Sequence, residues 1–342
     1  MGQLARTSPR FADLSIGSPV DPTPEPIARA LSAAADSPGY PTVAGLPEAA
    51  RAFEDWLRRR VGVTAEVETI PSIGSKEVVA LLPVLLGLGA GSRIVVPELA
   101  YPTYVVGGLF AHCEIVVSDD PADVAGADLV WLNSPSNPTG RVMDAAELQQ
   151  MVSAARATGA LVASDECYIE FGWEGRPPSV LSPEVIGQDP TGVLALHALS
   201  KRSNMAGYRY GAVAGDPDVV RRLLEVRKHL GFMVPLPVQR AAIVAWQDDA
   251  HVQEQRERYL RRREVLAPAL EAAGFRIDHS EAGLYLWATR DMDCWDTARW
   301  LAERGILVAP GDFYGEAGNR HVRVALTASD DTVASAAESL SI

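Results

Sequence analysis

Short apolar runs that alternate with helical stretches are the feature that most constrains the fold of this chain. Such runs lie at residues 94–96, 115–117, 129–132, 161–163 and 193–196, and helical patterns separate several of them, for example at residues 145–157. Strands without a polar face are buried on both sides, as in a parallel sheet covered by helices. The sequence therefore predicts an α/β fold with a mostly parallel sheet flanked by helices.

The pattern changes after residue 235. Helical patterns at residues 237–246 and 250–273 are followed by apolar strands at residues 275–277, 283–287 and 322–326. This order predicts a smaller α+β unit. A chain of 342 residues is long enough for roughly two domains. We expect a large domain at residues 40–235 and a small domain that combines residues 1–39 with residues 236–342.

Charge and cysteine content disfavour several classes of protein. A formal net charge of −13 argues against nonspecific nucleic-acid binding, because a basic surface supplies most of that affinity. Cys113, Cys167 and Cys294 are far apart and form no CxxC pair, so we expect no disulfide framework, no metal site and a reducing, cytoplasmic location. The N-terminus lacks a signal-peptide core, and the longest apolar segment, residues 78–88, is too short to span a bilayer.

The stretch from residue 200 to residue 211 combines a lysine, an arginine and two glycines. Lys201 follows a buried apolar run, where an amine is unfavourable unless it has a function. Arg209 lies between Gly207 and Gly211, which allow a sharp bend and a close approach of a ligand. A reactive amine and a fixed cation at this spacing suit a carbonyl cofactor with a phosphate tail. The alternative is a lysine that faces water beside turn glycines.

Five further residues carry groups that call for a partner. Gly74 and Ser75 precede a helical run, where free N–H groups favour a phosphate, although Ser75 can instead cap the helix without a ligand. Asp165 ends a buried strand, where an unpaired carboxylate is unfavourable. Arg323 lies within an apolar strand and needs an anion, which is either a ligand or an internal acidic side chain. Tyr101 precedes a proline and either stacks on a flat ring or packs locally.

Three motifs together resemble those of fold type I aminotransferases, which use pyridoxal 5′-phosphate (PLP). They are Ser200-Lys201 followed after five residues by Gly-x-Arg-x-Gly, Asn-Pro-Thr-Gly at residues 137–140, and Asp165 followed three residues later by Tyr168. Matching positions occur in family order from Gly17 to Arg323, so the resemblance covers nearly the whole chain. It implies a seven-stranded, mostly parallel sheet and a transamination between amino acids and keto acids.

The resemblance also implies a role for each matching residue. Lys201 would bind PLP covalently and later move the substrate Cα proton, Asp165 would keep the ring nitrogen protonated, and Tyr168 would contact the 3′ oxygen. The positions that match the cofactor-binding residues of the family are Gly74, Ser75, Lys76, Tyr101, Asn137, Asp165, Tyr168, Ser200, Lys201 and Arg209, with Tyr40 contributed by the neighbouring subunit. The positions that match its substrate-binding residues are Gly17, Asn137 and Arg323. A homodimer with shared active sites is therefore expected, unless Tyr40 only packs locally and Gly17 only forms a turn.

One position departs from the family pattern. Ala198 stands three residues before the lysine, where the family usually has a serine that binds the phosphate. We expect somewhat weaker retention of PLP, without loss of function.

Within the family, the chain is most similar to actinobacterial N-succinyldiaminopimelate aminotransferases of lysine and diaminopimelate biosynthesis, in residues 17–24, 73–77, 203–209 and 279–287. This likeness implies N-succinyl-2-amino-6-oxoheptanedioate as acceptor and glutamate as donor. The candidate cations for the additional carboxylates of that substrate are Lys76, Arg202, Arg227 and Lys228. The alternatives are an aminotransferase for another dicarboxylic or aromatic substrate and a PLP-dependent C–S lyase. A PLP-sensing regulator is disfavoured because no basic helix precedes Gly17.

Overall fold

The protein consists of two sheets with their helices and a short third pairing of strands. The computed structural model describes residues 1–8 and 10–341. Within them the strands are β1 (Ala12–Asp13), β2 (Glu68–Ser72), β3 (Arg93–Val96), β4 (Glu114–Val117), β5 (Leu129–Asn133), β6 (Leu161–Asp165), β7 (Val193–Ala198), β8 (Gly211–Gly215), β9 (Arg276–Asp278), β10 (Tyr285–Thr289), β11 (Ile306–Leu307), β12 (Ala309–Pro310) and β13 (His321–Ala325). The α-helices are α1 (Gly2–Ala5), α2 (Glu25–Ala33), α3 (Pro47–Trp56), α4 (Ser75–Leu85), α5 (Thr103–Phe110), α6 (Ala145–Thr158), α7 (Pro183–Ile186), α8 (Leu199–Arg202), α9 (Pro217–Arg227), α10 (Leu236–Gln247), α11 (Ala250–Ala272), α12 (Cys294–Glu303) and α13 (Asp330–Leu340).

The large sheet has seven strands in the order β2-β8-β7-β6-β5-β3-β4. The pairs β3/β4, β3/β5, β5/β6 and β6/β7 are parallel, whereas β8 is antiparallel to both of its neighbours. Parallel neighbours need crossover connections, and α5 and α6 supply them between β3 and β4 and between β5 and β6. The predicted seven-stranded, mostly parallel sheet flanked by helices is confirmed.

Both faces of this sheet are buried, and strand β5 shows how the sequence achieves this. Val130 and Leu132 belong to one apolar layer, whereas Leu129 and Trp131 belong to the layer on the opposite face. Successive side chains of a strand point to opposite faces, so an unbroken apolar run packs against helices on both sides. The carboxyl ends of β5, β6 and β7 therefore emerge together at one edge of a rigid core.

Local signals set the helix ends. The side chain of Asp144 accepts a hydrogen bond from the Glu147 N–H, and the Glu147 carboxylate accepts one from the Asp144 N–H, so α6 begins with a capping box. It ends at Gly159, whose φ of 77° is a left-handed conformation that glycine adopts without strain. These local signals place α6 between β5 and β6, where the parallel sheet needs a crossover connection.

The small domain is built on a second, antiparallel sheet. Its four strands run in the order β12-β13-β10-β9, and helices α11, α12 and α13 contribute to a separate apolar core with it. Strand β1 pairs in parallel with β11, which ties the N-terminal segment to this domain. The predicted smaller α+β unit is thus present.

The packing of α10 differs from the predicted domain division, which assigned residues 236–342 to the small domain. Ala241, Ala242, Ala245 and Trp246 of α10 are buried in the core of the large sheet, and so is Ile27 of α2. These two helices therefore pack into the core of the large sheet, and the division of the chain into two domains stays a prediction.

None of the helices within residues 1–8 and 10–341 is long and apolar enough to cross a membrane. The same residues contain no cluster of three or more His, Cys, Asp or Glu side chains arranged to hold a metal ion.

Candidate active site

A cavity of about 420 Å³ opens where the carboxyl ends of β5, β6 and β7 meet the small domain. Its volume lies within the range of roughly 300–1,000 Å³ that is usual for small-molecule sites. The sequence-predicted residues that line it are Gly17, Ser75, Lys76, Tyr101, Asn137, Asp165, Tyr168, Ser200, Lys201, Arg209 and Arg323. The structure therefore brings residues from both domains, more than 300 positions apart in sequence, to one cavity.

Lys201 reaches the cavity because the chain turns immediately after β7. Ala198 ends the strand and also lines the cavity, and the short helix α8 that follows presents the lysine. The Nζ of Lys201 donates a hydrogen bond to the backbone carbonyl of Gly17. The amine is thus hydrogen-bonded to a neutral oxygen, and this contact does not pair it with an acidic side chain.

Asp165 ends β6 and is almost fully buried. The hydroxyl of Tyr104 donates to Oδ2 at 3.1 Å, and the backbone N–H of Cys167 donates to Oδ1 at 3.2 Å. Burial raises the pKa of this carboxyl, and its hydrogen-bond donors only partly offset the effect. A buried carboxylate with neutral partners is suited to bind a cationic N–H group of a ligand.

A cationic pocket for an anion lies between the start of α4 and Arg209. Ser75 is the first helical residue and Gly74 is the cap, so Ser75 does not cap the helix as the alternative interpretation required. The Arg209 guanidinium donates to the carbonyls of Ala206 at 2.8 Å and Ile73 at 3.4 Å. A Cβ atom at position 74 would lie 2.8 Å from Cζ of Arg209, so only glycine at this position allows the guanidinium to approach the backbone so closely. Free N–H groups, a helix dipole and a guanidinium together suit a phosphate.

Arg323 lies on β13 and is 7% exposed. Its Nη1 donates to Oδ1 of Asn137 and its Nη2 donates to the carbonyl of Ser15, both at 2.8 Å. Its Nε is buried without a partner among the described residues. All of these partners are neutral, so the alternative of an internal salt bridge is not seen in the described chain. The guanidinium therefore remains free to bind a carboxylate in the cavity.

The sequence interpretation assigned no role to several cavity residues, among them Tyr104, Cys167 and Tyr285. Tyr104 bonds to Asp165, Tyr285 bonds to Tyr168, and Cys167 lines the cavity beside them. The Sγ of Cys167 donates to Ser75 Oγ at 3.2 Å, and burial raises the pKa of this thiol well above its usual value. The sequence does not show whether an aromatic residue within an apolar run lines a cavity or packs in the core, so Tyr104 and Tyr285 could not have been recognised.

Three of the four candidate distal cations do not lie at the cavity. Arg202 is paired with Glu170 at 3.0 Å and with Asp249 at 2.8 Å, Arg227 with Glu77 at 3.0 Å, and Lys228 with Glu225 at 2.5 Å. Lys76 does line the cavity, with its Nζ 5.7 Å from the Tyr101 ring centroid.

Tyr40 also lies away from the cavity of its own chain. Its side chain is 95% exposed, and it is absent from the cavity wall. Its predicted contact with the cofactor of a neighbouring subunit stays a prediction.

The lining groups fit PLP. The cofactor has an aldehyde, a pyridine nitrogen and a phosphate, and Lys201, Asp165 and the Arg209 pocket offer an amine, a buried carboxylate and a cationic pocket. Arg323, on β13 of the small domain, offers a second anion site in the same cavity.

Comparison with known proteins gives the same family over nearly the whole chain. The family described as aminotransferase class I and II matches residues 9–340. The chain is 51% identical over 333 residues to the 4-dedimethylamino-4-oxo-anhydrotetracycline transaminase OxyQ of Streptomyces rimosus, covering 96% of this chain and 93% of that protein. It is 54% identical over 330 residues to the probable aminotransferase Rv1178 of Mycobacterium tuberculosis, covering 95% and 79%.

More distant relatives and solved structures agree with this family. The chain is 32% identical over 351 residues to the LL-diaminopimelate aminotransferase of Aquifex aeolicus, covering 95% and 89%. It superposes on the aminotransferase AspB of Helicobacter pylori with a TM-score of 0.90 at 27% identity, covering 99% and 95%. A probable N-succinyldiaminopimelate aminotransferase of Thermus thermophilus gives a TM-score of 0.87 at 28% identity, covering 99% and 96%.

Proposed function

This chain belongs to the class I and II aminotransferase family, and we propose that it transfers the amino group of glutamate to N-succinyl-2-amino-6-oxoheptanedioate. It is a PLP-dependent aminotransferase whose substrates are amino acids and keto acids. The succinylated acceptor is the finer part of the proposal. Relatives named for diaminopimelate and N-succinyldiaminopimelate support it. OxyQ, 51% identical over the aligned residues, is named for another substrate, and Rv1178, 54% identical over the aligned residues, carries no named substrate.

One observation carries the proposal for the reaction. The cavity holds the amine of Lys201 and the buried, unneutralised guanidinium of Arg323 together. A substrate that is held by its carboxylate at Arg323 presents its Cα to the lysine, which is the arrangement that transamination needs. Lys76 is the remaining cation at the cavity for a distal carboxylate.

PLP, when bound, supplies an aldehyde that reacts with amines and a ring that accepts electrons from the substrate Cα. Lys201 would bind the aldehyde, and its Nζ would hold and move the proton at the substrate Cα. Asp165 would hold the proton on the ring nitrogen, and Arg209 with the first turn of α4 would bind the phosphate. Asn137 and Tyr168 would hold the 3′ oxygen. These roles are proposed from chemistry and placement.

The cofactor site is proposed to be completed by a second copy of the chain. Tyr40 is almost fully exposed, and α5 presents Val106, Leu109 and Phe110, each more than half exposed, on the same large domain. Chains with Tyr40→Ala mixed with chains with Lys201→Ala provide the test. Shared sites predict that mixed dimers regain activity, because one of their two sites has both residues. Independent sites predict no activity beyond the sum of the two parents.

A second candidate acceptor is a planar polycyclic ketone, in view of the named substrate of OxyQ. An apolar cavity of about 350 Å³ beside the site supports it, because Ser15 borders both cavities and Trp295 and Phe313 offer aromatic surfaces there.

We also propose that the reaction takes place in the cytoplasm. The free thiols of Cys113, Cys167 and Cys294 support this location.

Half-reaction spectroscopy tests these proposals. Glutamate should convert the visible absorbance of the bound cofactor to that of its amine form, and an effective acceptor should reverse the change. The succinylated keto acid, its unsuccinylated analogue and a tetracyclic ketone are compared at equal concentration. Reversal by the tetracyclic ketone alone would overturn the succinylated acceptor, and no response to glutamate would overturn the donor.

A further inference from the structure

We propose that Tyr285 is a positioning residue of this site, whose ring holds the guanidinium of Arg323 in place and whose hydroxyl orients that of Tyr168. The part that concerns Arg323 rests on its proposed function in carboxylate binding. The sequence interpretation assigned Tyr285 no role. The structure places it in the cavity wall, 2% exposed.

The pairing of two strands brings Tyr285 to Arg323. Tyr285 of β10 lies opposite Ala325 of β13, so Arg323, two residues earlier, is its diagonal neighbour on the same face. Aromatic and long side chains reach each other across this diagonal. The Cζ of Arg323 lies 4.0 Å from the centroid of the Tyr285 ring.

The ring supports the guanidinium without neutralising it. An acidic partner would hold Arg323 more strongly, but it would also compete with a substrate carboxylate for the same charge. The face of an aromatic ring attracts a cation and leaves its N–H groups free. The hydrogen-bond partners of Arg323, Asn137 and the carbonyl of Ser15, are also uncharged, and so is the Tyr314 ring, whose centroid lies 5.0 Å from its Cζ. The whole environment therefore fixes the position of the cation and keeps its charge for a ligand.

The hydroxyl of Tyr285 acts on a different neighbour. Its oxygen lies 3.1 Å from that of Tyr168, and either group can donate. Burial raises the pKa of Tyr168 well above its usual value. Burial acts on Tyr285 as well, but the charges of Arg323 and Lys201 outweigh it and lower the pKa of this residue. Either hydroxyl can be the donor, so the contact fixes the position of the Tyr168 oxygen among the residues that line the cavity.

The backbone of Gly17 completes the contact. A Cβ atom at Gly17 would lie 2.6 Å from Cζ of Tyr285, so the tyrosine packs directly on bare backbone. The carbonyl of the same glycine accepts from Lys201. Tyr285 thus contacts Gly17, which binds the amine of Lys201, Tyr168, which is proposed to contact the 3′ oxygen, and Arg323, which is proposed to bind the carboxylate.

Two variants of the holoenzyme separate the two functions of the side chain. Tyr285→Phe keeps the ring and removes the hydroxyl, whereas Tyr285→Leu removes both. Binding of glutarate, a non-reactive dicarboxylate, is measured by calorimetry, and the visible absorbance of the bound cofactor is titrated with pH. Tyr259→Phe is the matched control, because Tyr259 is buried in the same small-domain core but does not line the cavity.

Tyr285→Phe should leave the glutarate Kd within about twofold, since the ring remains, and raise the midpoint of the absorbance titration by about half a pH unit, since a cooperative hydrogen bond is lost. Tyr285→Leu should also weaken glutarate binding by about threefold to thirtyfold, with a matching rise in KM for glutamate and a smaller change in kcat. The control should change neither readout.

Three results would overturn the proposal in distinguishable ways. Equal weakening of glutarate binding by Phe and Leu would show that the hydroxyl binds the ligand directly. An unchanged titration midpoint in both variants would remove the role of the hydroxyl. Unchanged glutarate binding in Arg323→Gln would overturn the proposed carboxylate site, and with it the support by the ring, while the absorbance titration still decides the role of the hydroxyl.

Discussion

Replacement of Tyr104 by phenylalanine removes one of the donors on which the buried carboxylate of Asp165 depends. Tyr104 is fully buried on α5, and its hydroxyl donates to Oδ2 of Asp165 at 3.1 Å. Its ring is stacked on Trp131 at a centroid distance of 5.0 Å, and phenylalanine keeps that packing. The substitution therefore changes one hydrogen bond and little else.

The magnitude follows from the charge of the acceptor. A hydrogen bond to a charged group contributes about 1.5–3 kcal/mol, and one pKa unit corresponds to about 1.4 kcal/mol. Loss of the bond disfavours only the ionised form, so it raises the pKa of Asp165 further than burial already does. The ionised carboxylate is the form that binds a protonated ring nitrogen.

The effect on PLP binding should depend on pH in a defined direction. At low pH the Asp165 carboxyl of the apoenzyme is protonated and gains nothing from the Tyr104 hydroxyl. In the complex with PLP the carboxylate is ionised and accepts this hydrogen bond. The whole free energy of the lost bond therefore appears in the Kd of the variant. At high pH both forms are ionised and the loss cancels. The ratio of variant to wild-type Kd should be about tenfold or more on the acid side and should approach one as the pH rises through the raised pKa of Asp165.

Titration of apoenzyme with PLP across the pH range in which the protein stays folded measures this ratio, and the titration of PLP itself cancels in it. Tyr259→Phe, outside the cavity, serves as control and should give a ratio near one throughout. A ratio for Tyr104→Phe that stays near one, or that does not change with pH, would refute the dependence of Asp165 on this hydroxyl.

Other residues give predictions that are checked by separate measurements. Burial raises the pKa of Glu166 from 4.5 to about 7; the folded state binds this proton more tightly, so the stability it provides is complete below about pH 4.5 and lost as the pH rises through about 7. The melting temperature of wild type should therefore fall relative to Glu166→Gln over this window, and parallel curves would contradict the assignment. Arg202→Met should lower the free energy of urea unfolding by about 3 kcal/mol, because it breaks a buried pair with Glu170, whereas the exposed Arg59→Met should lower it by less than about 1 kcal/mol; equal losses would count against a buried pair. Ala198→Ser should tighten PLP binding to apoenzyme, since Ala198 lines the cavity without a hydroxyl, and an unchanged Kd would show that no phosphate contact is missing.

Much of the fold was predictable because apolar periodicity is a local property. The runs at residues 129–132, 161–163 and 193–196 predicted strands of a mostly parallel sheet, and the structure has β5, β6 and β7 there. The helix predicted at residues 250–273 is α11, Ala250–Ala272. The location of α10 was not predictable, because an amphipathic helix does not specify which of two apolar surfaces it covers.

For the active site, the sequence by itself determined the chemically distinctive groups. Lys201, Asp165 and Arg323 are conspicuous because charges at the ends or in the middle of apolar strands need partners, and this can be recognised without a structure. Their convergence on one cavity follows from the parallel order of the strands and the packing of the small domain. Only the tertiary structure assigned Tyr104 and Tyr285 to that cavity and Arg202 to an ion pair outside it. These assignments depend on strand register and side-chain direction, which arise from contacts between residues far apart in the chain.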